Sequence, residues 1–373
     1  MIGAHTVSLG FCSVPPENPR QIAAQVLLDR RKGGSTLEEN VDSRLATARL
    51  ASKDRGLVQE LVYGVVRWQA TLDWLIDRKA TARKPVAGVR TLLRLGLYQL
   101  FLLNRIPDHA AVNETVESAK QLGYARQAGL LNAILRAYVR EKESTRSLLA
   151  ELKTTGLALG YSHPEWLCAR WEARWGKEAT RRLLEWNNRP APVIARLNTL
   201  KFDHARLLAA WKQEGLEPTP VKVDWAGDDL LYELASPASL AGVASFREGG
   251  FYIQDPSTLL AVTQLDPKPG ERLLDFCAAP GGKTTFIAQL MQNQGELIAL
   301  EPSPSRLQRL RENCHRLGVR CANLRRKLNF GEERLFDRVL VDVPCSNTGV
   351  MRRRVELRWR LRPEELERLA RNQ

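Results

Sequence analysis

The stretch Leu273-Leu274-Asp275-Phe276-Cys277-Ala278-Ala279-Pro280-Gly281-Gly282-Lys283-Thr284-Thr285 constrains the fold of this chain more than any other. A short apolar run ends in an acid, passes through small residues and two glycines, and enters an amphipathic helical pattern. A parallel strand hands over in this way to the N-terminus of a ligand-binding helix, where unpaired backbone N–H groups favour phosphate-like or nucleoside-like ligands. The alternation continues downstream. Gly295 turns the chain into the apolar run Leu297-Ile298-Ala299-Leu300, which ends in Glu301, and Ser305 to Leu317 reads as a helix stopped by Gly318. Val319 to Ala322 is expected as a third strand and Arg338 to Pro344 as a fourth. Strands alternating with helices predict a doubly wound, Rossmann-like α/β domain with its ligand at the carboxyl ends of the strands.

Three nucleotide ligands compete for that geometry. A Walker A loop needs glycine five positions before Gly282, and Cys277 stands there instead. A dinucleotide fingerprint needs GxGxxG, which Ala279-Pro280-Gly281-Gly282 does not supply. S-adenosylmethionine carries no phosphate, so its site wants a small-residue loop and an acid after the second strand for the ribose hydroxyls. The Cys277 to Gly282 loop and Glu301 stand in those places. On position alone, Glu301 is equally a solvated acid at a strand end.

The charge points to the partner. A formal net charge of +14 over 373 residues suits an anionic partner such as nucleic acid. The six cysteines have no CxxC spacing, which indicates neither a zinc site nor a disulfide framework and fits a reducing cytoplasm. Residues Met1 to Phe11 lack the pattern of an export signal, no apolar run is long enough for a membrane span, and Phe11 to Pro19 reads as a leader without fixed structure.

Ahead of the α/β region the pattern is helical from Arg20 to about Glu143, with apolar faces at three-and-four spacing. One runs Leu57, Val58, Leu61, Val62, Val65, Val66, and a richer one Leu92, Leu93, Leu95, Leu97, Leu100, Phe101. From about Leu148 to Glu248 the composition shifts. Trp166, Trp171, Trp175, Trp186 and Trp211 crowd together, and helical text gives way at Arg189-Pro190-Ala191-Pro192 to a strand-like Val193 to Leu197, predicting a small α+β module. These tryptophans either pack as core or stack RNA bases.

Particular segments carry a family resemblance. Tyr63-Gly64-Val65-Val66-Arg67, Leu93 to Leu100, His109-Ala110-Ala111-Val112-Asn113-Glu114 and Asn132-Ala133-Ile134-Leu135-Arg136 resemble the NusB-type RNA-binding helical domain. Arg196 to Lys201 and Gly250 to Ser257 are similar to the substrate-side module and catalytic lead-in of RNA cytosine-5 methyltransferases. Asp275 to Thr284, with Asp342-Val343-Pro344-Cys345-Ser346-Asn347-Thr348-Gly349, resembles motifs I and IV of that family's Sun/RsmB group. The resemblance implies three parts: an all-α NusB-like domain over 20–143, a small α+β module over 148–248, and a Rossmann-like methyltransferase domain over 250–373 with an incomplete sheet. It implies S-adenosylmethionine as cofactor and 16S ribosomal RNA as partner, for a cytoplasmic, monomeric enzyme with no membrane association. The cofactor set it suggests is Asp275, Cys277, Ala278, Ala279, Pro280, Gly281, Gly282, Lys283, Glu301, Arg306 and Asp342.

Carbon 5 of cytosine is a poor nucleophile, so its methylation requires a thiolate to add first at carbon 6. An acid such as Asp342 suits the base edge of cytosine while carbon 5 becomes enamine-like; the resemblance gives the attack to a later Thr-Cys-Ser motif and gives Cys345 the breakdown of the covalent product. Attack by Cys345 itself is the second reading, and a strand-end cysteine without chemistry the third. No cysteine follows Cys345 in the sequence. The chain is therefore expected to be a truncated member without turnover, or alternatively a non-catalytic RNA-binding or ribosome-assembly protein that keeps the cofactor pocket. Relatives place an aspartate after the third strand for adenine, whereas Arg325-Arg326-Lys327-Leu328-Asn329-Phe330 has no acid. Those cations, with Arg352, Arg353, Arg354, Arg358 and Arg360, either meet RNA phosphates or form a solvated face.

Overall fold

A computed structural model describes residues 18–30, 35–81, 84–235, 240–328 and 335–373. The leader up to Glu17, and Asn329 and Phe330, lie outside the described residues. Contacts divide the chain into two units, one reaching Arg189 and including Thr348–Leu361, the other comprising Pro190–Asn347 with Arg362–Gln373.

The first unit is helical: α1 (Pro19–Asp29), α2 (Leu37–Thr47), α3 (Ser52–Arg67), α4 (Gln69–Lys79), α5 (Ala87–Leu102), α6 (Asp108–Ala119), α7 (Ala128–Arg140), α8 (Lys142–Thr155), α9 (Leu157–Gly160) and α10 (Glu165–Asn188). α2 starts on a capping box in which the Thr36 hydroxyl accepts from Glu39 N–H and the Glu39 carboxylate accepts from Thr36 N–H, satisfying two otherwise orphaned donors. α5 is apolar on nearly every face and lies at the centre, with Leu92, Leu93, Leu95 and Leu97 fully buried. Truncating one such leucine to alanine costs about 2–5 kcal/mol. α3 approaches α5 closely because Gly64 has no side chain: a Cβ there would lie 2.0 Å from Cζ of Tyr98.

Residues Thr348–Leu361 pack within this unit. Val355 enters the main helical core, and Met351 packs with Leu157, Tyr161, Leu167, Trp171 and Leu184. Arg358 is fully buried, donating to the carbonyls of Arg67, Ser162 and Asn187 at 3.2 Å and to Oδ1 of Asn188 at 2.8 Å. It therefore does not face phosphate as the cationic run suggests, because carbonyl oxygens enclose it. The Trp359 indole N–H donates to the Val66 carbonyl at 2.6 Å.

In the second unit, β1 (Val193–Leu197), β2 (Pro218–Pro220), β3 (Leu231–Leu234) and β4 (Phe251–Ile253) form an antiparallel sheet in the order β2-β3-β1-β4. Helix α11 (His204–Gln213) buries Trp211 edge-on to Tyr232 and Phe251, with ring centroids 5.3 Å apart in both cases, which makes this tryptophan core. After α12 (Ala244–Arg247) and α13 (Ser257–Leu265) comes the parallel sheet: β5 (Arg272–Phe276), α14 (Gly282–Leu290), β6 (Glu296–Leu300), α15 (Pro304–Arg316), β7 (Ala322–Arg325) and β8 (Arg338–Val341), in the order β7-β6-β5-β8. Strand β8 is at one edge of the described sheet, with Leu340 buried and Val339 and Val341 exposed. The third strand begins at Ala322 rather than Val319 because Val319 N–H still closes the end of α15, donating to Cys314 O beside Gly318 at φ +72°. α16 (Leu357–Arg360) belongs to the segment packed in the first unit, and α17 (Pro363–Asn372) ends the chain. Among the described residues no helix is long and apolar enough to cross a membrane.

Candidate active site

β5 and β6 are hydrogen-bonded neighbours, so their carboxyl ends bring the loop after β5 next to the acid after β6. Asp275 is 1% exposed. Its Oδ2 accepts from the Thr284 hydroxyl at 2.6 Å, while Oδ1 has no hydrogen-bond partner among the described residues. Burial pushes this carboxyl up to about 6, against the opposing pull of the Thr284 hydrogen bond and of Lys283.

The loop passes through left-handed backbone at two positions. Cys277 adopts φ +66°, Ala279-Pro280 is cis, and Gly281 adopts φ +107°, where a Cβ would also meet Leu310 Cδ1 at 2.8 Å. Three hydrogen bonds fix it to β6 and α15. Ala278 N–H donates to Leu300 O at 2.9 Å, Arg306 donates to Ala279 O at 2.7 Å, and Asn313 donates to Pro280 O at 2.9 Å. Gly282 and Lys283 begin α14. The Cys277 thiol is pushed up by burial and by Glu301, which suits a lining residue better than a nucleophile.

Glu301 is 2% exposed. Its Oε1 accepts from Ser303 N–H at 3.0 Å; its Oε2 lies 3.3 Å from Arg306 Nη2 as an ion pair yet accepts no well-aligned hydrogen bond. Adjacent strands thus end in two buried carboxylates, each with an oxygen that accepts no well-aligned hydrogen bond among the described residues, and buried acceptors left this way are costly. A ligand that brings an ammonium or hydroxyl groups matches both.

Across the strand ends, Lys283 Nζ lies 2.6 Å from Oδ2 of the half-exposed Asp342, whose own N–H donates to Phe276 O. Cys345 is exposed, and Asn347, at φ +57°, turns its N–H to within 3.4 Å of the sulfur. The structure therefore gathers Asp275, the 277–283 loop, Glu301, Arg306 and Asp342 on one end of one sheet, with Cys345 on the loop three residues beyond Asp342. From the end of β7, Arg325 to Leu328 offer no acid.

Two contributors are not evident from the motif. Thr284 is the only side chain donating a hydrogen bond to Asp275 among the described residues. Arg196, fully buried in β1, donates to Gln254 Oε1 at 2.6 Å, to the Gly282 carbonyl at 2.9 Å and to Thr285 Oγ1 at 3.0 Å, backing the start of α14. An arginine inside the apolar run Val193 to Leu197 was the available signal.

Three parts of the chain match known protein families. The family described as 16S rRNA methyltransferase RsmB/F matches residues 262–373, the NusB family matches 17–140, and the ferredoxin-like domain of the RsmF/B-like methyltransferases matches 163–227. The chain is 35% identical over 359 residues to the probable ribosomal RNA small subunit methyltransferase B of Bacillus subtilis, covering 94% of this chain and 78% of that one. It is 36% identical over 360 residues to ribosomal RNA small subunit methyltransferase B of Klebsiella pneumoniae, covering 95% and 80%. The crystal structure of PH0851 shares the fold, with a TM-score of 0.74 at 22% identity over 96% of this chain and 81% of that one.

Proposed function

The chain belongs to the 16S rRNA methyltransferase RsmB/F family, and from that premise we propose that its site serves S-adenosylmethionine-dependent methylation of carbon 5 of a cytosine in 16S ribosomal RNA. The observation that carries this reading is the pair of buried carboxylates at the ends of β5 and β6, each with an oxygen that accepts no hydrogen bond among the described residues. Asp275 Oδ1 suits the ammonium of the amino-acid end, Glu301 Oε2 suits a ribose hydroxyl, and the Cys277 to Gly282 loop lies between them. Arg306 fixes both Glu301 and the loop, so it acts by positioning. When bound, S-adenosylmethionine supplies the electrophilic methyl group.

Asp342 holds the cytosine. A carboxylate accepts from the exocyclic amino group of cytosine, a donor that uracil lacks. Lys283 fixes that carboxylate by its 2.6 Å ion pair. Cys345 is the accessible thiol on the same loop; the reading gives it the breakdown of the covalent product that the family's attacking cysteine forms at carbon 6, the step in which a base takes the carbon 5 proton as the carbon 6–sulfur bond breaks and the attacking thiolate leaves.

Binding of RNA oligomers that differ only in cytosine or uracil tests the base assignment without requiring turnover. A preference for cytosine that disappears in Asp342→Asn supports it. Equal affinity of the unmodified chain for both oligomers would overturn it.

A further inference from the structure

We propose that the face of α10 around Trp186, with Arg352 laid on its ring, is a stacking surface for single-stranded RNA. The inference rests on an rRNA substrate and says where, outside the methyl-transfer site, a strand of it is gripped.

Trp186 is 51% exposed, unlike Trp171 and Trp211, which are buried in core clusters. The Arg352 guanidinium lies 4.0 Å from the Trp186 ring centroid, and its Nε donates to the Arg189 carbonyl at 3.2 Å. A guanidinium on an indole is a planar, weakly hydrated cation, and a base extends that stack while its phosphate meets the charge. Arg182, one helical turn before Trp186, and Arg189, just after it, are both exposed.

The acids of this helical segment offset only part of that charge. Glu178 pairs with Arg181 at 2.6 Å and lies 4.0 Å from Arg182 Nε, and Glu185 accepts from both Arg181 and the Tyr161 hydroxyl, so Arg189 and Arg352 keep the face cationic. Half-exposed Trp175, before the break in α10 at Gly176, repeats the chemistry, with the Arg174 guanidinium 5.9 Å from its ring. Aromatic faces interleaved with a single sign of charge fit a strand of bases and phosphates. An acidic protein segment would use the cations but leave the rings without partners.

The test is anisotropy titration of the full chain with a fluorescein-labelled single-stranded oligoribonucleotide and with the same strand in a duplex. Trp186→Ala should weaken single-strand binding about tenfold and duplex binding by less than about twofold, while Trp186→Phe keeps most of the affinity. The double variant Arg182→Gln/Arg189→Gln should reduce the salt slope of single-strand binding by about 1.4. An unchanged melting curve for each variant shows that the fold is intact. Wild-type affinity in Trp186→Ala, equal losses for single strand and duplex, or competition by polyglutamate as effective as by RNA would overturn the inference and leave the methyltransferase reading standing. Absence of RNA binding by the unmodified chain would overturn both.

Discussion

Lys283 Nζ lies 2.6 Å from Oδ2 of Asp342, so the start of α14 is tied by an ion pair to the residue that follows β8. Asp342 is half-exposed, and water screens the pair, so Lys283→Gln should lower global stability by no more than about 1 kcal/mol. The effect belongs to the loop: amide hydrogen exchange over Asp342 to Asn347 should quicken in the variant. Unchanged exchange there would show that the pair fixes nothing.

Asp275 makes stability depend on pH with a definite sign. Burial raises its carboxyl to about 6, above the ~4 of an unfolded chain, so the folded state holds a proton that the unfolded state releases. Its contribution therefore rises as pH falls from about 7 towards about 4, by up to about 3 kcal/mol. Urea unfolding across that range should show this increment in the native chain and lose it in Asp275→Asn. Parallel pH profiles would contradict the assignment.

Gly281→Ala should be costly. A side chain at φ +107° is strained, and the added Cβ would press on Leu310 at 2.8 Å. A destabilisation of about 1–3 kcal/mol is expected, read as a lower urea midpoint. Gly123→Ala, at φ +86° but with open space around the added carbon, should cost less.

Arg358→Met should free the segment Thr348–Leu361. Methionine fills part of the volume but leaves the Arg67, Ser162 and Asn187 carbonyls without that donor. The loss should reach about 3 kcal/mol or more, with fast hydrogen exchange concentrated in residues 348–361. Protection equal to the native chain would mean that Met351 and Val355 alone hold the segment.

The sequence makes legible what short-range patterns encode. Leu297 to Leu300 announces a strand by an unbroken apolar run and Val193 to Leu197 by an apolar run interrupted only at Arg196, and the Asp275 to Thr284 motif marks the loop. The third strand is misplaced by three residues because Val319 and Cys321 carry strand-like side chains while the backbone at Val319 is still closing α15. The docking of Thr348–Leu361 is hidden for a different reason. In Met351-Arg352-Arg353-Arg354-Val355-Glu356-Leu357-Arg358 the cations dominate, and only the Arg67, Ser162 and Asn187 carbonyls, distant in sequence, make Arg358 a buried residue. Arg196 stands out locally as a cation inside an apolar run, but its partner, the Gly282 carbonyl 86 residues away, does not.

The most direct test of the cofactor site is calorimetric titration of S-adenosylmethionine into the native chain and into Glu301→Ala. The account predicts saturable one-to-one binding, not displaced by ATP or NAD, that weakens at least about tenfold when Glu301 loses the carboxylate expected to meet the ribose. No binding to the native chain, or equal binding to both, would contradict it.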